Sequence, residues 1–322
     1  MISVKIVAIA VSVLVVEGTA AALVFWPSDD DGPGEGRIVV TDDRGKTITF
    51  ENPPERIMSL GSSFTDTLAM LGCMDNIFAV DQSSVNRLGS EYPELSSKEI
   101  LPGKPDASTA DLALQYGIDC IIVWNFSTYA EGMDVIEGIG IKVIALYPTD
   151  IGSVKTVIST LGKLMDKDVT ASELVDDIDT TIENIAALAT AKAGASYGDY
   201  KRVYIELDSA TYMTSPPKGS IKGSMLDILG VNYIGRSETT PIVYDIEDIK
   251  LVFQPDIVIF MGPVNETSEK MKRIDDLNIP GAIVDVYHDG NGFNGNWASA
   301  TPSFIKGLVY LYELIYAEPY IS

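Results

Sequence analysis

Cysteine and histidine are nearly absent from this chain of 322 residues: there are two cysteines, Cys73 and Cys120, and one histidine, His288. Two isolated cysteines exclude a disulfide framework, and both read as buried free thiols. A Ser-His-Asp system would have to use His288, and no Gly-x-Ser-x-Gly elbow accompanies it. Phosphate-loop and dinucleotide glycine fingerprints are also missing, since "DRGKT" lacks the upstream glycine and "GIGIKV" lacks the third. Basic residues are scarce as well. Lys and Arg number 23 against 46 Asp and Glu, a formal net charge of −23. A surface of that sign repels phosphate backbones and argues against a nucleic-acid partner. Apolar residues are plentiful: at 46% hydrophobic and 21% charged, the chain can build two lobes, each with its own core.

One long apolar run stands at the amino terminus, from Ile6 to Phe25, broken by Glu17. It approaches the roughly 20 residues needed to cross a bilayer. Lys5 before it and Asp29, Asp30 and Asp31 after it predict the amino terminus inside and the body outside. A cleaved signal is the rival reading, with Ala20-Ala21-Ala22 as the small-residue cleavage site. Residues 1–26 are thus a signal or a membrane anchor. Either way the protein is exported to the outer face of the cytoplasmic membrane, in a periplasm or at a cell surface. Residues 27–36, "PSDDDGPGEG", form a polar linker.

From Arg37 on, β-branched runs alternate with helical periodicity. "RIMSLG", "IFAVD", "DCIIVW" and "IKVIAL" read as strands; "SSFTDTLAMLG", "DLALQYG" and "GMDVIEGIG" read as helices. This order predicts an α/β fold with parallel sheets covered on both faces, and residues 37–150 form a first lobe. Residues 151–195 lack strand signals. Val154, Val157, Ile158, Leu161, Leu164 and Met165 recur at helical spacing, and a capping box at Thr170–Glu173 restarts the pattern. This is a long helical connector. The αβ rhythm then resumes over a second lobe, 196–322, with "RVYIEL", "DIVIFM" and "AIVDVY" as strands and "TPSFIKGLVYLYELIYAE" as the terminal helix.

The halves echo each other. "ADLALQYGIDCIIVW" matches "EDIKLVFQPDIVIFM": an acid (Asp111, Asp248) opens a helix, and eight residues later an aspartate (Asp119, Asp256) precedes a buried strand. Two similar lobes leave a cleft between them, where α/β proteins bind ligands.

"NPPERIMSLGSSFTDTLAMLG", the repeated acidic helix and buried strand, and "GSMLDILGVNYIG" together resemble the cobalamin, iron-siderophore and haem substrate-binding proteins of ABC importers, over roughly Val39 to the carboxyl end. The resemblance implies two Rossmann-like lobes joined by a long α-helix. It implies a monomer that captures a small-molecule metal chelate, with no cofactor of its own and no catalysis, for an ABC permease and its ATPase. It also implies one acid per lobe that docks on permease arginines, which by position are Asp111 and Asp248. Ser62 stands where the family has proline. Asp66, at the family's glutamate position, reads as a helix-start residue.

In such an architecture the ligand meets the loops after the strands. The candidates are Ser62, Ser63, Trp124 and Tyr129 in the first lobe, and Tyr212, Arg236, Tyr287 and Trp297 in the second. Loop aromatics suit a flat organic ligand or chelate, Arg236 suits an anionic group, and Tyr129 or Tyr287 could ligate haem iron. His288 with Asp285 and Asp289 offers a conceivable metal site, but only at the minimum of the three or four protein ligands that a bare ion needs, and His288 reads as an ordinary loop histidine. A sensing receptor or metal-centre chaperone on the same two lobes is the alternative reading, and a surface hydrolase a more distant one.

Overall fold

A computed structural model describes residues 37–192, 201–207, 213–260, 269–279, 283–286 and 299–316. The apolar run and linker of residues 1–36 lie outside the described residues. An antiparallel hairpin, β1 (Ile38–Thr41) with β2 (Thr47–Phe50), precedes the first lobe. Asp42 organises its turn: the carboxylate accepts from the Arg44 and Lys46 amides at 3.0 and 3.1 Å and from Arg44 Nε at 2.7 Å. It also accepts from the Ala145 amide at 3.1 Å, which fastens the hairpin to the lobe.

The first lobe is a five-stranded parallel sheet. Its strands are β3 (Ile57–Leu60), β4 (Ile77–Asp81), β5 (Glu99–Leu101), β6 (Cys120–Trp124) and β7 (Lys142–Leu146), in the order β5-β4-β3-β6-β7. Helices α1 (Ser62–Met70), α2 (Gln82–Leu88), α3 (Ala107–Tyr116) and α4 (Ala130–Gly138) cover it. Strands β3, β6 and β7 are buried almost throughout, as the unbroken β-branched runs require when both faces are covered.

Two helices follow, α5 (Ile151–Leu164) and α6 (Asp168–Lys192). The connector is therefore a hairpin of a short and a long helix, not one continuous stripe. The break falls at Asp166, in left-handed backbone at φ 54°, so α6 begins before Thr170 and the expected capping box lies inside it. Asp150 caps α5 in a box with Ser153, and Lys155 pairs with Asp179 at 2.6 Å across the hairpin. With 25 residues, α6 is about 37 Å long at 1.5 Å per residue.

The second lobe carries β8 (Arg202–Glu206), β9 (Asn232–Tyr233), β10 (Ile257–Phe260) and β11 (Ile283–Val286) in the parallel order β11-β10-β8-β9. Helices α7 (Ile221–Ile228), α8 (Glu269–Leu277) and α9 (Phe304–Tyr316) accompany them. This order repeats the first sheet with β8 in the place of β3 and β10 in the place of β6.

The sequence echo has a structural cause. Asp119 accepts from the Arg56 amide at 2.9 Å, and its own amide donates to the Arg56 carbonyl. Asp256 does the same with Arg202, at 2.8 Å. Each arginine also reaches back to the end of the preceding helical segment, Arg56 to the Tyr116 carbonyl and Arg202 to that of Phe253. One clasp thus seats a strand pair in each lobe. The acids eight residues earlier are placed differently from expectation. Asp106 caps α3 through the Thr109 amide at 3.0 Å, so Asp111 lies a turn inside the helix. Asp248 does open its element, a π-helical turn over Asp248–Phe253.

One buried cluster runs from the first sheet (Ile57, Ile122, Ile144) through α1, α5 and α6 to α7, α9 and the second sheet (Val203, Ile205, Ile259). The lobes share this core on one side, which limits how far they can part.

Candidate functional site

The carboxyl ends of strands from both sheets meet at a cavity of about 520 Å³. That volume lies within the range of pockets that take small organic ligands. From the first lobe come Ser62 and Ser63 after β3, Ser83 and Arg87 after β4, Trp124 ending β6, and Thr149 after β7. From the second come Leu207 after β8, the Pro216-Pro217 turn, Ser220 and Lys222 at the start of α7, and Ser299 ahead of α9.

Gly61 sets the first-lobe wall. Its φ of 155° lies where side chains are strained, and a Cβ there would stand 2.5 Å from Trp124 Nε1 and 3.0 Å from the Phe64 ring. The indole therefore closes over bare backbone. Phe64 packs against it at 5.0 Å, Phe126 stacks on it at 5.6 Å and 8° between planes, and Tyr147 meets both edge-on. Phe126 and Tyr147 are exposed, so an aromatic ledge extends from Trp124 toward solvent. Gly61→Ala is expected to cost about 1–3 kcal/mol of stability through overpacking and to displace Trp124, measured by thermal melting and indole fluorescence.

Asp66 is not a helix-start residue. It is the fifth residue of α1 and fully buried, because the start of α9 lies directly over it. Its carboxylate accepts from the Thr301 hydroxyl, the Ser303 amide at 3.2 Å and the Tyr92 hydroxyl at 3.2 Å. Burial pushes the carboxyl upward, against the hydrogen bonds from Thr301 and Ser303 that pull it down. Lys306 paired with Glu91, and Arg87 within 3.5 Å of Ser299, add further ties between the first lobe and this segment. In the second lobe, Glu206 is fully buried at the end of β8 and accepts from Arg273 Nε at 2.8 Å.

Of the residues expected from sequence, Ser62, Ser63 and Trp124 line the cavity. Tyr129 stands to one side, partly buried against the first-lobe core and edge-on to Phe126 at 5.1 Å. Arg236 is off the cavity and pairs with Asp227 at 3.4 Å. Tyr212, Tyr287, Trp297 and His288 lie outside the described residues. Asp111 and Asp248 are exposed and apart from the cavity, one in each lobe. Sequence reading missed Arg87 and Lys222. The caps that start their helices, Asp81 on the Ser84 amide and Ser220 on the Gly223 amide, mark α2 and α7 but not these side chains.

No protein-family profile matches this chain, and no curated protein matches it in sequence. Solved structures do match. A possible iron-binding, periplasmic solute-binding protein from Staphylococcus epidermidis aligns with a TM-score of 0.61 at 20% identity, covering 82% of this chain and 100% of its own. The Haemophilus influenzae molybdate-binding periplasmic protein MolA reaches 0.68 at 16%, covering 87% and 91%. A periplasmic haem-binding protein from Pseudomonas aeruginosa reaches 0.66 at 15%, covering 84% and 95%. The fold is that of the periplasmic solute-binding proteins. The two parallel sheets and the long α6 of the present chain belong to that fold.

Proposed function

We propose that this protein is the exported substrate-binding subunit of an ABC importer, which captures a metal chelate of the iron-siderophore, cobalamin or haem class and hands it to a permease driven by an ATPase. The observation that carries this reading is the cavity itself, built from strand ends of both lobes in a solute-binding fold. A ligand seated there touches both halves, so its presence fixes their relative position. The Trp124 ledge offers apolar area to an organic chelate.

Asp111 and Asp248 are the docking acids in this reading. Both are exposed, they occupy equivalent places in the internal repeat, and an exposed leucine follows each by three residues, Leu114 and Leu251. Each acid with its leucine suits one subunit of a two-fold permease. Residues 1–26 export the protein or hold it to the membrane, residues 27–36 act as tether, and the lobes of 37–150 and 196–322 work as a monomer about the 151–195 connector. The protein holds its ligand unchanged. Native mass spectrometry of the full-length protein from its own source is expected to show one co-purifying small molecule per chain, released intact on denaturation. A processed product in its place would replace this reading with catalysis.

A further inference from the structure

The cavity shows a chemical preference that the capture reading leaves open. Ser62 and Ser63 line it, they are 7% and 2% exposed, and neither hydroxyl has a hydrogen-bond partner among the described residues. Neither is sealed away as the unpartnered Ser215 and Ser303 hydroxyls are, so both stay open to the cavity. They are also the first two residues of α1, whose N-cap is Gly61 and which no side chain caps. Helices α2, α3, α5 and α7 are capped by Asp81, Asp106, Asp150 and Ser220. The positive end of α1 is thus left to whatever occupies the cavity. Among the described residues the charged groups lining the cavity are Arg87 from the first lobe and Lys222 from the second, in a chain of net charge −23.

The geometry points to a ligand that presents a compact anionic oxygen group, a carboxylate or oxyanion edge, to the Ser62–Ser63 start of α1, with its organic body against Trp124. This rests on the reading of the cavity as the capture site and narrows it: anionic chelates are bound and neutral ones discriminated against. The cavity is far larger than one oxyanion needs, so the anionic group belongs to a larger chelate.

The test is calorimetric titration of the full-length protein in mild detergent with ferric citrate, a ferric tris-catecholate, a neutral ferric tris-hydroxamate and sodium molybdate. The anionic chelates are expected to bind at least about tenfold more tightly than the neutral one, a difference of about 1.4 kcal/mol. Ser62→Ala/Ser63→Ala is expected to remove that margin. Because these hydroxyls have no partners to lose, the variant should melt no lower than the wild type. Equal affinity for the neutral chelate, or full anionic affinity in a folded double variant, overturns the charge inference and leaves capture standing. Tight molybdate binding lost in the same variant supports the anionic seat and removes the chelate from the proposed function. Binding of none of the four overturns the anionic inference and leaves cobalamin and haem as the ligands of the capture reading.

Discussion

Protein carrying both Asp111→Ala and Asp248→Ala is expected to bind its ligand within about twofold of wild type and to lose at least about tenfold in uptake through the proposed permease. The two acids lie in separate lobes, so their effects should add. Each carboxylate is exposed in the free protein, so its removal disturbs neither fold nor cavity. In a docked complex each would lie against a basic partner, where truncating one member of a desolvated charge pair costs about 2–5 kcal/mol. The single variants should each show part of the loss, because each lobe contributes one contact. Uptake by reconstituted vesicles, with ligand affinity measured in parallel, separates docking from capture. Unchanged uptake in the double variant would remove both acids from the docking assignment.

Asp66→Ala is expected to lower stability by about 3–5 kcal/mol. The substitution leaves the Thr301 hydroxyl, the Ser303 amide and the Tyr92 hydroxyl without their acceptor in a region closed to water, at about 1–3 kcal/mol for each unsatisfied group before relaxation. Asp66→Asn keeps an acceptor oxygen and removes the charge, so it is expected to retain most of the stability. The pH dependence follows from the raised native value. An unfolded aspartate titrates near 3.9, whereas burial moves the native group upward, and the nearby Glu91 adds to the shift. The native state then holds its proton more tightly than the unfolded state. Its stabilising contribution is full below the unfolded value and is lost as pH rises through the native one. The wild type should therefore lose stability relative to Asp66→Asn as pH rises above about 4, in melting curves of the two proteins across pH. A constant difference would show that Asp66 titrates normally.

These two aspects differ in how far the sequence displayed them. The parallel strands were readable because burial on both faces demands unbroken β-branched runs such as "CIIVW" and "IVIF". The internal repeat was readable because the Arg–Asp clasps of Arg56 with Asp119 and Arg202 with Asp256 impose the same spacing in both lobes. The restart between α5 and α6 was readable too, but it was placed at Thr170 rather than Asp168, because the turn rests on Asp166 adopting a left-handed conformation that glycine would have advertised. The β1–β2 hairpin escaped notice since its strands are only four residues long and its turn is held by Asp42 and the distant Ala145 amide.

At the site, Ser62, Ser63 and Trp124 were legible because they directly follow or end strands. Arg87 and Lys222 were not, since they sit within helices and reach the cavity only through the way those helices pack. Asp66 was misread for a related reason. Acids are rarely buried without a charged partner, so an acid early in a helix reads as a surface residue. Its partners lie 26, 235 and 237 positions away, and no local pattern announces them.

Hydrogen–deuterium exchange with and without the co-purified ligand tests whether one ligand is held by both lobes at once. Slowed exchange is predicted at the Gly61–Phe64 and Trp124–Phe126 backbone of the first lobe and, at the same ligand concentration, over residues 216–222 of the second. Protection confined to one lobe, or found only away from these segments, would contradict it.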